Sequence, residues 1–212
     1  MFTLQGTPYI FQGDEIGMTN VQFANIEDYR DIDSLNLYNE QVSKQGRSPK
    51  DVLEMIHLKG RDNARTPMQW DRTPNAGFSS GTPWIGVNLN YTEINADQVL
   101  HDQNSVFWHY RDLIQLRREH EVIVHGNFEL LLNDHPTIFA FQRTWKTQRL
   151  IVLLNFAAEI SSFQESDVYL LGKMRLLLAN YPVFTPSTDQ IKLQAFEARV
   201  YFCEDKGGDS ML

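Results

Sequence analysis

The feature that most constrains this chain is a short run near its start that has no companion of its own kind. Pro8-Tyr9-Ile10-Phe11 is apolar without alternation and runs into the polar turn Gln12-Gly13-Asp14-Glu15-Ile16-Gly17. An unalternating apolar strand is one covered on both faces, as in a parallel sheet. No other strand of that type precedes it, and residues 18 to 120 read as helices and loops. The run is therefore expected to be one strand of a larger sheet, because a lone strand leaves its main-chain groups unpaired.

Downstream, Ile32, Leu35, Leu37, Tyr38 and Val42 fit a helix within residues 31–44. Ser48 and Pro49, ahead of Val52, Leu53, Met55 and Ile56, supply an N-cap, a first-turn proline and an amphipathic helix that Gly60 stops. Residues 61–92 hold Pro67, Pro74 and Pro83, several glycines, and Trp70, Phe78 and Trp84. This reads as a long loop, and its aromatic content argues for order. Asn104 is expected to cap a helix with Val106, Phe107, Tyr110, Leu113 and Ile114 on one face.

After His120 the helical period gives way to short β-like runs at 128–132, 138–143, 150–156, 174–178, 191–193 and 198–203. Strands at that spacing predict an antiparallel sandwich. The expected organisation is residues 1–120, then an antiparallel β-domain over 121–205, with the boundary near 119–124 and a frayed tail over 206–212.

Composition narrows the function classes. The 27 acidic against 19 basic residues give a net charge of −8, which disfavours nucleic acid because nothing would drive counterion release. No stretch approaches the ~18 consecutive apolar residues of a membrane span. The segment MFTLQGTPYIF lacks a basic region and a small-residue cleavage site, so a soluble cytoplasmic protein is expected. The lone Cys203 cannot form an internal disulfide or a cysteine-rich zinc site and is expected to be a buried small hydrophobe.

No nucleophile elbow, HExxH pair or phosphate loop is present. His101-Asp102 and Asp134-His135 sit at a helix start and a proline turn, where solvated pairs are expected. What remains is charge in aromatic company: Asp14 and Glu15, then Asp28, Arg30, Asp31 and Asp33, then Arg61, Asp62 and Arg65. If these segments converge, guanidiniums and carboxylates meet rings, the combination that grips a sugar's vicinal hydroxyls and apolar face. The same residues would equally make an ion network that only pins a loop.

The runs GTPYIFQGDEIGMTN (6–20), EDYRDIDSLNLYNE (27–40), KGRDNARTPMQWD (59–71) and NAGFSSGTPWIGVNLNY (75–91) resemble those of oligo-1,6-glucosidases, dextran glucosidases and trehalose-6-phosphate hydrolases, of the α-amylase superfamily. The resemblance covers about residues 3–204. It implies an α/β plus all-β architecture: the end of a (β/α)8 barrel (eighth strand within 3–18, elaborated loop and closing helix over 19–120), then a C-terminal β-domain over 121–204. Chemistry in such barrels lies at the C-terminal face.

The resemblance further implies a retaining glycosidase, with the nucleophile and the acid about 5 Å apart. Those carboxylates come from the fourth, fifth and seventh strands, so no catalytic residue is expected in this chain and the chain alone is expected to be inactive. Arg61 matches the arginine that holds the terminal glucose, and Asp33 stands where relatives carry a glutamate near the next sugar. Arg65 is a further substrate-binding candidate, read with Asp62 mainly as loop-fixing. Trp70 and Trp84 are expected to wedge the loop against the barrel and Glu15 to support the pocket. A small oligosaccharide is the implied substrate, α-1,6-linked by preference, with no cofactor, metal, nucleic acid or membrane. The alternatives are a non-catalytic carbohydrate-binding module and a structural fragment that self-associates through the exposed barrel-facing surface.

Overall fold

The computed structural model describes residues 1–168, 174–183 and 189–204. By internal contacts the chain divides into two units, Ile10–Tyr110, and Met1–Tyr9 with Arg111–Leu212. The cut falls inside a helix, ahead of the change in sequence pattern at 119–124, because the first nine residues and the end of that helix share contacts with the β-domain.

In the unit Ile10–Tyr110, helix α1 (Ile32–Tyr38) is capped by Asp31, whose carboxylate accepts from the Ser34 amide, and continues into a π-helical segment, Asn39–Lys44. Helix α2 (Pro49–Lys59) starts on the Ser48 cap and ends at Gly60, as its sequence dictates. Val52 and Ile56 on its inner face pack with Tyr29, Phe23, Ile26, Leu35 and Tyr38. The Tyr29 ring lies edge-on to Phe23 at 5.1 Å and stacks on His57 at 6.3 Å.

The long loop is a chain of single turns, Arg61–Ala64, Pro74–Gly77 and Leu89–Thr92. Buried amides hold it: Gln69 Nε2 donates to Asn90 Oδ1 (3.2 Å), Asn88 Nδ2 to the Thr19 and Asn20 carbonyls (3.1 and 3.2 Å), and Asn95 Nδ2 to Tyr91 O (2.7 Å). Asn75, Ala76 and Gly77 are successively left-handed, with φ of 56°, 57° and 66°. Gly77 is required there, since a Cβ would lie 2.7 Å from the Asp71 carboxylate.

Two readings of this region need correction, and one helix is added. Residues 8–11 form no strand among the described residues, and Tyr9 and Phe11 are 84% and 55% exposed. Extended backbone becomes a strand only by pairing, and among the described residues no strand pairs with this run. A further helix, α3 (Ala96–His101), is capped by Asn95. Helix α4 spans Val106–Glu119, so Asn104 stands one residue ahead of the capping position.

In the other unit, helix α5 (Glu121–His125) leads into seven strands among the described residues: β1 (Asn127–Leu131), β2 (Ile138–Trp145), β3 (Gln148–Asn155), β4 (Ser161–Gln164), β5 (Arg175–Ala179), β6 (Gln190–Leu193) and β7 (Ala198–Glu204). They form an antiparallel sheet β1-β2-β3-β7-β5 and a two-stranded sheet β4-β6, the sandwich read from the sequence with β4 added. Strand β3 is buried on both faces. Ile151 and Leu153 pack toward Phe163, Ile191 and Leu193, while Leu150 and Val152 pack toward Val122, Ile123 and Phe141.

Two arginines grip the first residues by their carbonyls. Buried Arg143 donates to Thr3 O (3.0 Å) and to the Gly126 and Asn127 carbonyls. Arg117 donates to Phe2 O (2.8 Å), Leu4 O (2.7 Å) and Gly6 O. Cys203 is half-buried rather than buried, since β7 turns partly outward at its end. The tail 206–212 lies outside the described residues. No helix among the described residues is long and apolar enough to cross a membrane.

Candidate functional site

The segments 28–34 and 61–65 converge on two buried carboxylates. Asp62, in the turn that follows the end of α2, is fully buried. Its Oδ2 accepts from the amides of Arg30 (2.6 Å) and Asp31 (2.8 Å), and its Oδ1 from Arg65 Nη1 (3.2 Å). Asp31 is 3% exposed, and its Oδ2 accepts from the Ser34 amide (3.1 Å) and hydroxyl (2.8 Å). The other oxygen, Oδ1, accepts from Arg61 Nε (3.0 Å) and Arg65 Nη1 (3.5 Å).

The remaining edge of Arg61 pairs through Nη2 with the carboxylate of Asp33. Burial pushes the Asp31 carboxyl up, but the two Ser34 hydrogen bonds and the charges of Arg61 and Arg65 outweigh it and hold the group below its usual range. Asp31 therefore stays ionised at neutral pH.

The arrangement is graded in exposure. Asp62 and Asp31 are inside, whereas the side chains of Arg61 and Asp33 are 56% and 72% exposed. An ion pair so exposed adds little stability. It leaves a guanidinium whose plane is fixed from behind through Nε and whose front carries donors beside an acceptor. Donor and acceptor side by side are what a vicinal diol requires.

Arg61, Asp33, Arg65 and Asp62 are thus brought together. Glu15 is half-buried and accepts from the Gly13 amide (2.9 Å) in its own turn. Its charge, with that of Asp14, adds to burial in raising the Tyr110 hydroxyl. Trp70 and Trp84 are 51% and 65% exposed, with no barrel strand among the described residues to pack on, and their main chains are tied, Trp70 N–H to Ala76 O (2.9 Å) and Trp84 O to Arg30 Nε (3.2 Å). Ser34 is central yet stood outside the charge cluster read from the sequence, and Asp31, named in that cluster, carried no assigned role. Their signal was the capping spacing, Asp31 with Ser34 three residues on, at the start of α1.

His101 is exposed, with Nδ1 near Asp97 O (2.6 Å). His135 accepts from the Thr137 and Ile138 amides, a turn-building role. Among the described residues no three His, Cys, Asp or Glu side chains are grouped to hold a metal ion.

Residues 1–126 match the model of the alpha amylase catalytic domain, and the chain belongs to that family. Within it, the oligo-1,6-glucosidase of Parageobacillus thermoglucosidasius is 52% identical over 199 residues, 93% of this chain and 35% of that protein. The trehalose-6-phosphate hydrolase of Escherichia coli is 43% identical, covering 92% of this chain and 35% of its own. The crystal structure of Bacillus licheniformis trehalose-6-phosphate hydrolase superposes with a TM-score of 0.89 at 39% identity, over 96% of this chain and 37% of that one. The chain spans about a third of the length of the curated relatives it matches.

Proposed function

We propose that this chain is the C-terminal part of a cytoplasmic retaining α-glucosidase that removes terminal α-linked glucose, α-1,6-linked by preference, from short oligosaccharides. The observation that carries the reading is the Arg61 guanidinium, fixed through Nε by the buried Asp31 carboxylate while its Nη edge lies exposed beside Asp33. In this reading two neighbouring hydroxyls of the terminal glucose bridge Arg61 and Asp33, with Arg65 at the margin. Asp62 holds the segment 30–31 in place and takes no part in the chemistry. The nucleophile and the acid belong to strands outside this chain, and residues 8–11 pair as the eighth barrel strand when those strands are present. Glu15, Trp70 and Trp84 then support the pocket from the rim. Until then the exposed Tyr9, Ile10 and Phe11 favour self-association, which light scattering measures.

The test is a chimera in which residues 3–204 replace the matching third of the Parageobacillus thermoglucosidasius oligo-1,6-glucosidase. Expected are turnover of isomaltose by the chimera, a fall of about a hundredfold in its kcat/KM on Arg61→Lys because the fixed fork is lost, and no turnover by the 212-residue chain alone. A folded but inert chimera, an indifferent Arg61→Lys, or an active isolated chain overturns the reading.

A further inference from the structure

Within the unit Ile10–Tyr110 a second concavity, about 890 Å³ in volume, opens between the segments 19–24 and 82–90. We propose that it is a binding site for a neutral, hydroxyl-rich oligosaccharide, separate from the Arg61 group. The choice of sugar rests on the α-glucosidase reading above.

The walls are built to stay open. Asn88 Nδ2 donates across the cleft to the Thr19 and Asn20 carbonyls, and Asn90 Nδ2 to the Thr19 hydroxyl (2.9 Å), so the two segments are tied before any ligand arrives. Two of the amides that line it are oriented as acceptors. Asn20 Nδ2 donates to His57 O (2.9 Å) and Leu58 O (3.2 Å), and Asn75 Nδ2 to Ser79 O (3.1 Å) and Gly81 O (2.9 Å). With their donors committed inward, each presents an Oδ1 that receives no donor among the described residues, beside the exposed carboxylate of Asp28. Such a set asks for a ligand rich in hydroxyl donors.

Charge favours a neutral ligand over an anion. The cation in the lining is Arg30, and its guanidinium already donates to the carbonyls of Trp84, Glu27 and Tyr29. A phosphate would meet the Asp28 carboxylate and carbonyl oxygens, and from Arg30 only the Nη2 edge, since Nε and Nη1 are turned to main-chain carbonyls. The apolar part of the wall is Phe23, Pro83, Val87 and Leu89. At Gly86 a Cβ would sit 3.1 Å from the Phe23 ring edge, so the glycine lets that ring lie against the main chain. A ring and a proline beside fixed acceptors offer a surface for a pyranose C–H face and partners for its rim. The volume falls within the range of small-molecule sites.

Both sites hang on one anchor. Asp28 and Arg30 line the cleft, Asp31 and Asp33 turn to Arg61, and Asp62 holds the amides of Arg30 and Asp31 between them.

The 212-residue chain, labelled with ¹⁵N, is titrated with isomaltotriose and, separately, with inorganic phosphate. Expected are saturable amide shifts confined to residues 19–24 and 86–90 with the sugar, and none with phosphate. Ala24→Trp, which fills the cleft, and Leu89→Ser, which removes an exposed apolar wall, should each weaken binding about tenfold, whereas Arg61→Ala should leave it within about twofold. No sugar shifts, shifts with phosphate, or shifts abolished by Arg61→Ala and spared by both cleft variants overturn the proposal. In the chimera, Ala24→Trp should leave the melting temperature unchanged. A fall there would mean that the rest of the polypeptide fills the cleft, which also overturns it. Failure of the α-glucosidase reading shows instead as an inert chimera.

Discussion

Replacing Asp62 by alanine tests whether one buried carboxylate shapes the segment that carries Asp31 and Asp33. The substitution strips the partner from the Arg30 and Asp31 amides, held at 2.6 and 2.8 Å, at a side chain with no exposure. Each main-chain donor left unpaired away from water costs about 1–3 kcal/mol. Arg65 keeps its 3.5 Å contact with Asp31 and is 39% exposed, so its loss adds little. The sum, about 4 kcal/mol, agrees with the cost of breaking buried charged contacts by removing one partner.

Converted at 1.4 kcal/mol per decade, that is about a thousandfold loss of hydrogen-exchange protection at Arg30, Asp31 and Ser34. Amides of β3, such as Leu150 to Leu153, should be unaffected, and Asp33→Ala, an exposed change, should move the site by under about 0.5 kcal/mol. In Asp62→Asn one oxygen still takes both amides but an NH2 faces Arg65, so a loss of about tenfold is expected. Protection at Arg30 and Asp31 that stays within about threefold of the parent in Asp62→Ala would refute the reasoning.

Other expectations follow from the same geometry. The Asp31 carboxyl lies below its ordinary 3.8, so its contribution is complete above that pH and is lost as pH falls through the folded value; acid titration of Ser34 amide protection should show this, and Asp31→Asn should abolish the dependence. His120, packed on Phe202 at 4.5 Å, is lowered from 6.5 chiefly by burial, with Arg175 adding and Glu119 and Glu204 opposing. The unfolded chain then protonates first, so urea midpoints of the β-domain should decline as pH falls through 6.5 and level off below the folded value, and His120→Gln should flatten the curve. Arg143→Met leaves the carbonyls of Thr3, Gly126 and Asn127 without their buried donor and should destabilise the β-domain by about 3 kcal/mol in urea unfolding. Gly77→Ala forces a Cβ against Asp71 at positive φ and should cost at least about 1–2 kcal/mol, read as exchange protection at Trp70 and Asp71.

What the sequence made legible was whatever is decided locally. Ser48-Pro49 and Gly60 mark both ends of α2 because caps act within one turn, and β3 reads as a strand because its unbroken apolar run, Leu150 to Leu154, serves two packed faces at once. The short β4 escaped because Ser161 and Gln164 carry little β-propensity, and it exists through its pairing with β6. At the site, Arg61, Asp62 and Arg65 stood out as charge in aromatic company. Asp31 stood in the same cluster without a role of its own, because its importance comes from burial, which depends on where α2 and the following turn lie. The amides of Gln69, Asn88 and Asn95 that fix the loop were equally silent, because a polar side chain shows its worth only once it is buried with partners. The run at 8–11 has the composition of a strand and lacks the neighbour that makes one.

The wide turn at Asn39–Lys44 carries a consequence for how this region can change length. A π-helical turn is what results when a helix takes in one more residue than its spacing allows. Whatever phase is gained or dropped there is erased before α2, which restarts on its own cap at Ser48. Single-residue insertions and deletions between positions 39 and 47 should therefore pass unnoticed at Arg61. The same edit between 28 and 34 would slide successive amides off Asp62, so this short stretch divides into a part free to drift and a part locked in step.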